Sequence, residues 1–205
     1  MKIISTQTLK DFLEKTDTKH DVLLDTLIKF YSKRIETFMN RELKYGLREM
    51  YFNAGRRKFT LPAYPIDVNV TPGDTGLAVY DCGVLQLKDS WYWVWASEGI
   101  VEFYAEPMYI QPRQLKFIWT GGYREVTVNG ETYFTDMNPA FLFPDDVKLA
   151  TMVQCAYVFR RRNDIGLQSV NMPDGTISKI LDKSSDLIPM VKNMLMPHRR
   201  IPDAY

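Results

Sequence analysis

Few side chains in this 205-residue chain have the type and spacing that chemistry requires. The two histidines, His20 and His198, have no cysteine or carboxylate neighbours at the spacing of metal ligands. Gly121-Gly122 is not followed by the Lys-Ser or Lys-Thr pair of a phosphate-binding loop, so we expect a turn at a strand end. Asp145 and Asp146 stand at a predicted helix start, where capping accounts for both. The sequence therefore predicts no enzyme, no cofactor and no metal ion.

A row of alternating tryptophans is the densest aromatic feature of the chain. Trp91, Trp93 and Trp95 occupy every second position of one predicted strand, so their side chains should share one face of a sheet. The favoured interpretation is a small sheet core, because aromatic side chains dominate burial in thin β layers. The alternatives are an exposed contact surface for another protein and a stacking platform for nucleic acid. Lys88 is the only basic residue in the stretch 84–104, which argues against the platform.

Two short basic clusters complete the candidate residues. Arg160, Arg161 and Arg162 follow an apolar helical run, where the carbonyl end of a helix favours cations. A solvated helix end and a contact with phosphate or an acidic partner are both open for them. The second cluster, His198 to Arg200, begins a proline-interrupted tail that is not expected to fold alone.

Composition limits the classes of function. With 45% hydrophobic residues, the chain can bury a core in one domain, or in one domain that carries a large insertion. Its net charge of +1 gives no general case for binding nucleic acid or membrane, and no apolar run approaches the length of a bilayer crossing. Without a signal peptide, the chain should be soluble at synthesis. Cys82 and Cys155 are far apart in sequence and are expected to be free thiols in a reducing compartment.

Helical periodicity is confined to the two ends of the chain. The predicted helix Asp145 to Arg162 is apolar on more than one face, so other parts of the protein should enclose it. Val153→Asp should therefore abolish folding, because it would bury an unpaired charge. Asp145 or Asp146 should cap this helix, and Thr8 with Asp11 resembles a capping box for the first helix. The predicted helices are Thr8 to Lys15, Lys19 to Asn40, Asp145 to Arg162 and Pro189 to Met196.

The middle of the chain has the short β-branched and aromatic runs of strands, separated by turn residues. Asn129-Gly130 between two such runs predicts a tight hairpin. The predicted fold class is α+β, with a four-helix bundle core (1–48 and 135–205) that carries an inserted antiparallel β-rich module (49–134). The other predicted strands are Glu49 to Asn53, Lys58 to Leu61, Leu77 to Tyr80, Val84 to Leu87, Tyr92 to Trp95, Ile100 to Tyr104 and Leu115 to Thr120.

A series of short motifs runs along the chain in a recognisable order. They are LKDFL (9–13), IETFMNREL (35–43), LPAYPIDVNV (61–70), FIWTGGY (117–123), PDDVKLA (144–150), RRRNDIG (160–166) and LIPMVKNMLMPHRR (187–200). In order and spacing they resemble the head-tail connector (adaptor) proteins of long-tailed double-stranded DNA bacteriophages. The β-rich stretch 49–134 is longer than the corresponding part of shorter family members.

The resemblance implies a structural virion protein at the head–tail interface, present in the host cytoplasm during assembly. Such proteins form a homo-oligomeric ring, usually a dodecamer, beneath the phage portal protein, and they present a surface to the next neck or tail-completion protein. Double-stranded DNA passes through the lumen without sequence-specific binding, which suits the near-zero net charge. No membrane contact is implied.

The resemblance also implies roles for the candidate residues. In the family the carboxy-terminal segment typically engages the portal; here it would present His198, Arg199, Arg200, Ile201 and Tyr205. The arginines at 160–162 become candidates for an intersubunit or channel contact. The tryptophan row becomes a possible partner-contact face, and nucleic-acid binding by that face is the alternative function.

Overall fold

The computed structural model describes residues 2–67, 76–108, 111–138, 140–161, 170–171, 177–178 and 186–200. Four α-helices and a set of antiparallel strands make an α+β fold, which confirms the predicted fold class. The helices are α1 (Thr6–Phe12), α2 (Asp21–Met39), α3 (Asp145–Arg160) and α4 (Pro189–Leu195), and a 3₁₀ turn (Met196–His198) follows α4.

Every strand predicted between Glu49 and Thr120 is present, with ends shifted by a few residues at most. The strands are β1 (Gly46–Phe52), β2 (Lys58–Thr60), β3 (Leu77–Asp81), β4 (Val84–Gln86), β5 (Tyr92–Trp95), β6 (Ile100–Phe103), β7 (Leu115–Gly121), β8 (Glu125–Val128), β9 (Glu131–Phe134), β10 (Val170–Asn171) and β11 (Ile177–Ser178).

The chain divides into two compact units. We call Met1–Phe38 with Pro144–Pro197 the helical unit, and Met39–Phe143 with His198–Tyr205 the β unit. The domain boundaries predicted from sequence, 1–48 with 135–205 and 49–134, differ from these limits and stay a prediction. Among the described residues, no helix combines the length and apolar character that a membrane crossing requires.

In the helical unit, α2 buries one stripe, as its helical spacing predicts. Leu24, Ile28, Tyr31 and Ile35 recur at intervals of three and four residues and are all almost fully buried. Helix α3 is enclosed on more than one face, which confirms that prediction; its buried residues are Val147, Ala150, Thr151, Gln154, Cys155, Ala156, Val158 and Phe159. Val153 itself is only half-buried, so it is a weaker test of this core than the sequence indicated.

Both capping predictions are wrong. Helix α1 begins earlier than expected, because the Ser5 hydroxyl oxygen accepts a hydrogen bond from the Thr8 backbone N–H at 3.0 Å. Pro144 occupies the N-cap position of α3 and makes no side-chain cap. Asp145 and Asp146 lie in the first turn instead, where a negative charge is favoured by the helix dipole, and Asp145 pairs with Lys148 at 2.9 Å.

The β unit contains two main antiparallel sheets, ordered β1-β7-β3-β4 and β2-β6-β5. Aromatic side chains from the inner faces of both sheets form its core: the rings of Phe59 and Phe117 lie 5.4 Å apart, and those of Phe59 and Phe103 lie 5.7 Å apart. The predicted hairpin is confirmed as β8-β9. Asn129 and Gly130 have φ angles of 52° and 78°, as a tight turn of this kind requires.

Candidate protein-contact surface of the β unit

The tryptophans of β5 lie outside the core, so the favoured prediction of a buried aromatic face is wrong. Trp93 and Trp95 are each 53% exposed, and Trp91, just before the strand, is 57% exposed. The residues between them face inward: Tyr92 is 1% exposed, and Val94 packs against the core. Because both faces of this strand are apolar, alternation alone does not determine which set is buried. We call Trp91, Trp93, Trp95 and Tyr104 the aromatic surface.

Backbone and side-chain hydrogen bonds hold the aromatic surface in place. The rings of Trp93 and Tyr104 lie 4.8 Å apart, and the Tyr104 hydroxyl donates to the Asp89 carbonyl oxygen at 2.9 Å. The Tyr104 backbone N–H donates to the carbonyl oxygen of Trp91 at 3.0 Å. The Trp91 N–H in turn donates to the carbonyl oxygen of Leu87, also at 3.0 Å. The backbone at Trp91 and the rings of Trp93 and Tyr104 are therefore pre-organised, which lowers the entropy that these two rings lose on binding.

Lys58 at the start of β2 and the preceding Arg57 are two cations near this surface, and both lie outside the stretch 84–104 in which Lys88 is the only basic residue. Trp93 is paired with Glu102 of β6, and Glu102 is paired with Lys58 of β2, so the three share a sheet face. The Glu102 carboxylate lies 3.5 Å from Lys58 Nζ and 3.9 Å from Arg57 Nη2. Both cations are thus engaged with the same carboxylate.

The charge around the aromatic surface is close to balanced. In the segments 56–60 and 84–106, four cations stand against four carboxylates, a local net charge of zero. They are Arg56, Arg57, Lys58 and Lys88 against Asp89, Glu98, Glu102 and Glu106. Such a balance does not attract phosphate, whereas exposed tryptophan and tyrosine side chains are enriched in contacts between proteins.

The two described arginines at the end of α3 differ in their surroundings. Arg160 is the last residue of the helix and is exposed. Arg161 turns back onto its own helix: its guanidinium carbon lies 5.2 Å from the centroid of the Tyr157 ring, and its Nη1 donates to the Tyr157 hydroxyl. Arg162 lies outside the described residues.

The basic tail is held on the β unit as far as residue 200. Arg200 donates its backbone N–H to the carbonyl oxygen of Met39 at 2.8 Å and its Nη2 to that of Thr60 at 2.7 Å. Tyr64 donates its hydroxyl to the carbonyl oxygen of His198 at 3.3 Å, whereas Arg199 is exposed. Ile201 and Tyr205 lie outside the described residues.

Metal-ligand clusters and thiol groups are the remaining candidates for chemistry in the described part of the chain. No cluster of three or more His, Cys, Asp or Glu residues among those residues is arranged to hold a metal ion. Burial raises the pKa of the Cys155 thiol to about 12, so it is not a nucleophile near neutral pH. Partial desolvation and the Asp81 carboxylate raise the pKa of Cys82. Both thiols are free.

Comparison with solved structures finds the same fold in gene transfer agent (GTA) particles. One match is to a chain in the neck of an empty GTA particle, computed with C6 symmetry; the chains are 15% identical, the TM-score is 0.52, and the match covers 98% of this chain and 91% of that chain. Another match is to a chain in the virion of a native GTA particle, with the same identity, TM-score and coverage. No protein-family model and no curated protein sequence matches this chain. This chain therefore shares the fold of a chain found in the neck of GTA particles.

Proposed function

We propose that this chain is a non-enzymatic structural protein of a virion neck, forming a ring that joins the capsid portal to the tail and lets double-stranded DNA pass. The observation that carries the proposal is the fold match to a chain of a GTA neck, which covers 98% of this chain and 91% of the other. The order of motifs along the sequence supports it independently, because those motifs resemble the head-tail connector family. The proposed location is the head–tail interface, with synthesis and assembly in the host cytoplasm.

A ring imposes a specific requirement on the surface of the subunit. Copies arranged about one axis must contact each other through two different, complementary patches, because the same patch cannot serve both neighbours. The GTA neck structure was computed with C6 symmetry, which supports such an arrangement here. A dodecamer is the number of copies that the family resemblance implies.

The aromatic surface is the patch we propose for a protein partner in the neck. Trp and Tyr dominate the binding energy of many protein interfaces, and these side chains are exposed, with Trp93 and Tyr104 already packed against each other. We assign the arginines at 160–162 to an intersubunit or channel contact. The segment of His198, Arg199, Arg200, Ile201 and Tyr205 is proposed to face the portal, and the next neck or tail-completion protein would bind the opposite side of the ring.

Co-assembly with a portal ring tests this function. The purified chain, alone and mixed with portal rings from the same virus, would be followed by analytical sedimentation and by negative-stain electron microscopy. The proposal expects either a discrete ring of the free protein or a monomer that joins the portal as a closed ring. A chain that stays monomeric and sediments apart from the portal rings would overturn it.

A second candidate function is single-stranded nucleic-acid binding by the aromatic surface. It is favoured by the exposure of Trp91, Trp93 and Trp95 and by Arg57 and Lys58, which β2 brings to the same sheet. The engagement of both cations by Glu102 weighs against it. Salt-dependent binding of a single-stranded oligonucleotide that is lost in Trp93→Ala would support this candidate.

A further inference from the structure

The end of the described chain sits in a site built from distant parts of the β unit. Tyr64 and Thr60, which bind His198 and Arg200, are separated from them by 134 and 140 residues of chain. Three hydrogen bonds converge there: Arg200 N–H to Met39 O at 2.8 Å, Arg200 Nη2 to Thr60 O at 2.7 Å and Tyr64 hydroxyl to His198 O at 3.3 Å. Contacts so distant in sequence are not a property of the tail alone.

Both carbonyl acceptors lie at the ends of regular elements. Met39 is the last residue of α2, and the final carbonyls of a helix have no partner within it. Thr60 ends β2, an outer strand of the sheet ordered β2-β6-β5. Arg200 supplies donors to both, one from its backbone and one from its guanidinium group.

A buried arginine fixes the third member of the site. The Arg41 guanidinium carbon lies 3.6 Å from the centroid of the Tyr64 ring, and its Nη2 donates to the Tyr64 carbonyl oxygen at 2.6 Å. Arg41 is 5% exposed and Tyr64 is 8% exposed. Arg41 therefore holds both the backbone and the ring of Tyr64, and it sets the position from which the hydroxyl reaches His198.

The three basic residues of the segment are presented in alternating directions. His198 and Arg200 are half-buried, while Arg199 between them is exposed. Arg199 is therefore the member of this segment whose side chain is most accessible to solvent.

We infer that His198–Arg200 is a latch, which fastens the carboxy-terminal segment of the free subunit to its own β unit. Arg200 is the residue that the site recognises, through two carbonyl oxygens, and Tyr64 and Arg41 are positioning residues. The latch does not depend on the proposed function. If the chain does bind a portal, the latch fixes the point from which residues 201–205 leave, and Arg199 is the cation of this segment that faces outward.

Hydrogen exchange of the backbone amide of residue 200, measured by NMR on the full chain, tests the latch. Because a hydrogen bond of a charged group contributes about 1.5–3 kcal/mol, Arg200→Ala should lower the protection of this amide roughly tenfold or more. Tyr64→Phe keeps the ring beneath Arg41 and should lower the protection less. Arg199→Ala is the matched control, since it removes the same charge from an exposed neighbour and should leave the protection unchanged.

Hydrogen exchange read by mass spectrometry supplies a second readout that needs no assignment of spectra. Peptic peptides that contain residue 200 report its exchange as a gain in mass. This gain should be faster in Arg200→Ala than in the wild type and in Arg199→Ala, while thermal unfolding verifies that all variants are folded. An unprotected amide at residue 200 of the wild type, or equal behaviour of Arg200→Ala and Arg199→Ala, would overturn the latch.

Protein concentration separates a latch within one subunit from exchange between copies. Protection that is independent of concentration is expected, and protection that rises with concentration would assign the site to the tail of a second copy and overturn the latch. A protected amide at residue 200 in a chain that does not bind portal rings would refute the proposed function and leave the latch intact. Failure of the latch can therefore be told apart from failure of the proposed function.

Discussion

Trp93 and Tyr104 lie side by side on the exposed aromatic surface, with their ring centroids 4.8 Å apart. Tyr104 is fixed from two sides, because its hydroxyl donates to Asp89 O and its backbone N–H donates to Trp91 O. Together these rings offer a rigid apolar surface that the β unit does not use for its own core. Rigid aromatic groups of this kind contribute to binding at low entropic cost, and this relationship gives the first prediction.

Trp93→Ala should leave the subunit folded and weaken its association. The side chain is 53% exposed, so the free energy of unfolding should fall by about 1 kcal/mol or less, whereas an anchor residue of an interface contributes about 2 kcal/mol or more. Urea unfolding and sedimentation, alone and with portal rings, measure the two effects.

Trp119→Ala provides the contrast for Trp93→Ala. Trp119 is 1% exposed and donates its indole N–H to the Ala63 carbonyl oxygen at 2.9 Å. Its loss should cost about 3–5 kcal/mol of unfolding free energy, because a cavity and an unpaired carbonyl remain. If Trp93→Ala associates as well as the wild type does, the aromatic surface is not part of the proposed interface.

Gly122→Ala should destabilise the β unit far more than Gly130→Ala. A Cβ atom on Gly122 would lie 2.6 Å from Lys44 O and 2.7 Å from Leu43 O, which are backbone atoms, and the φ of Gly122 is +100°. The expected cost is about 2–5 kcal/mol, combining left-handed strain with overpacking. Gly130 also has positive φ but nothing within 4 Å, so strain alone, about 1–2 kcal/mol, is expected. Similar urea midpoints for the two variants would show that the backbone at Leu43 and Lys44 moves away from the added Cβ atom at little cost in free energy.

Local signals in the sequence were sufficient to predict most elements. Asn129-Gly130 adopts the positive φ values that make this pair a hairpin signal, and Pro189 stands in the first turn of α4 as expected. The start of α1 differs from the prediction because Ser5, Thr8 and Asp11 all have side chains that can cap a helix. The bond from Thr8 N–H to Ser5 Oγ shows which of them does so.

Features that depend on distant contacts were not predictable in the same way. The strand Tyr92–Trp95 has large apolar residues on both faces, and only its pairing with β6 and the ring of Phe103, 5.9 Å from that of Tyr92, determines the buried face. The position of Lys58 beside the tryptophans depends on the sheet order β2-β6-β5. The contact of Arg200 with Thr60 spans 140 residues and has no local signature.

The stability of the fold should decrease in alkaline solution. Burial first, and then the charge of Asp89, raises the pKa of Tyr92 to about 12, and burial raises that of Cys155 to about 12. In the unfolded chain these groups ionise near their ordinary values, about 10 and about 8.5. Between about pH 9 and about pH 12 the unfolded state therefore binds fewer protons than the folded state, and the free energy of unfolding falls as the pH rises.

Tyr92→Phe isolates the tyrosine contribution to this pH dependence. The variant keeps the ring beside Phe103 and lacks the ionising hydroxyl, so its urea midpoint should fall less steeply above about pH 10 than that of the wild type. The two proteins are compared first near pH 8, where a tyrosine is protonated in both states, to correct for any change in packing. If the urea midpoints of wild type and variant fall in parallel up to about pH 11, Tyr92 ionises equally in the folded and the unfolded state.

Ala150→Asp should unfold the helical unit, whereas Val153→Asp should not. Ala150 is 0% exposed in α3, so an aspartate there would be a buried charge without a partner, at a cost of about 3–5 kcal/mol. Val153 is half-buried and lets a carboxylate reach water, so about 1–2 kcal/mol is expected. Circular dichroism during urea titration measures both. Equal losses would show that an aspartate at position 153 is enclosed in the subunit as fully as one at position 150.

Reversing the charge of Arg160 should change assembly without changing the stability of the subunit. Arg160 is exposed at the end of α3, so Arg160→Glu should cost no more than about 1 kcal/mol, the loss of a favourable charge at the carbonyl end of the helix. Arg161→Ala is the comparison, because Arg161 also contacts Tyr157 of its own helix, so its loss should lower stability by about 0.5–1 kcal/mol as well as alter assembly. Urea unfolding distinguishes the two variants, and sedimentation with portal rings measures the assembly of each. Normal co-assembly of Arg160→Glu would mean that this arginine is simply a solvated helix end, because a contact with phosphate or with an acidic neighbour could not tolerate the reversed charge.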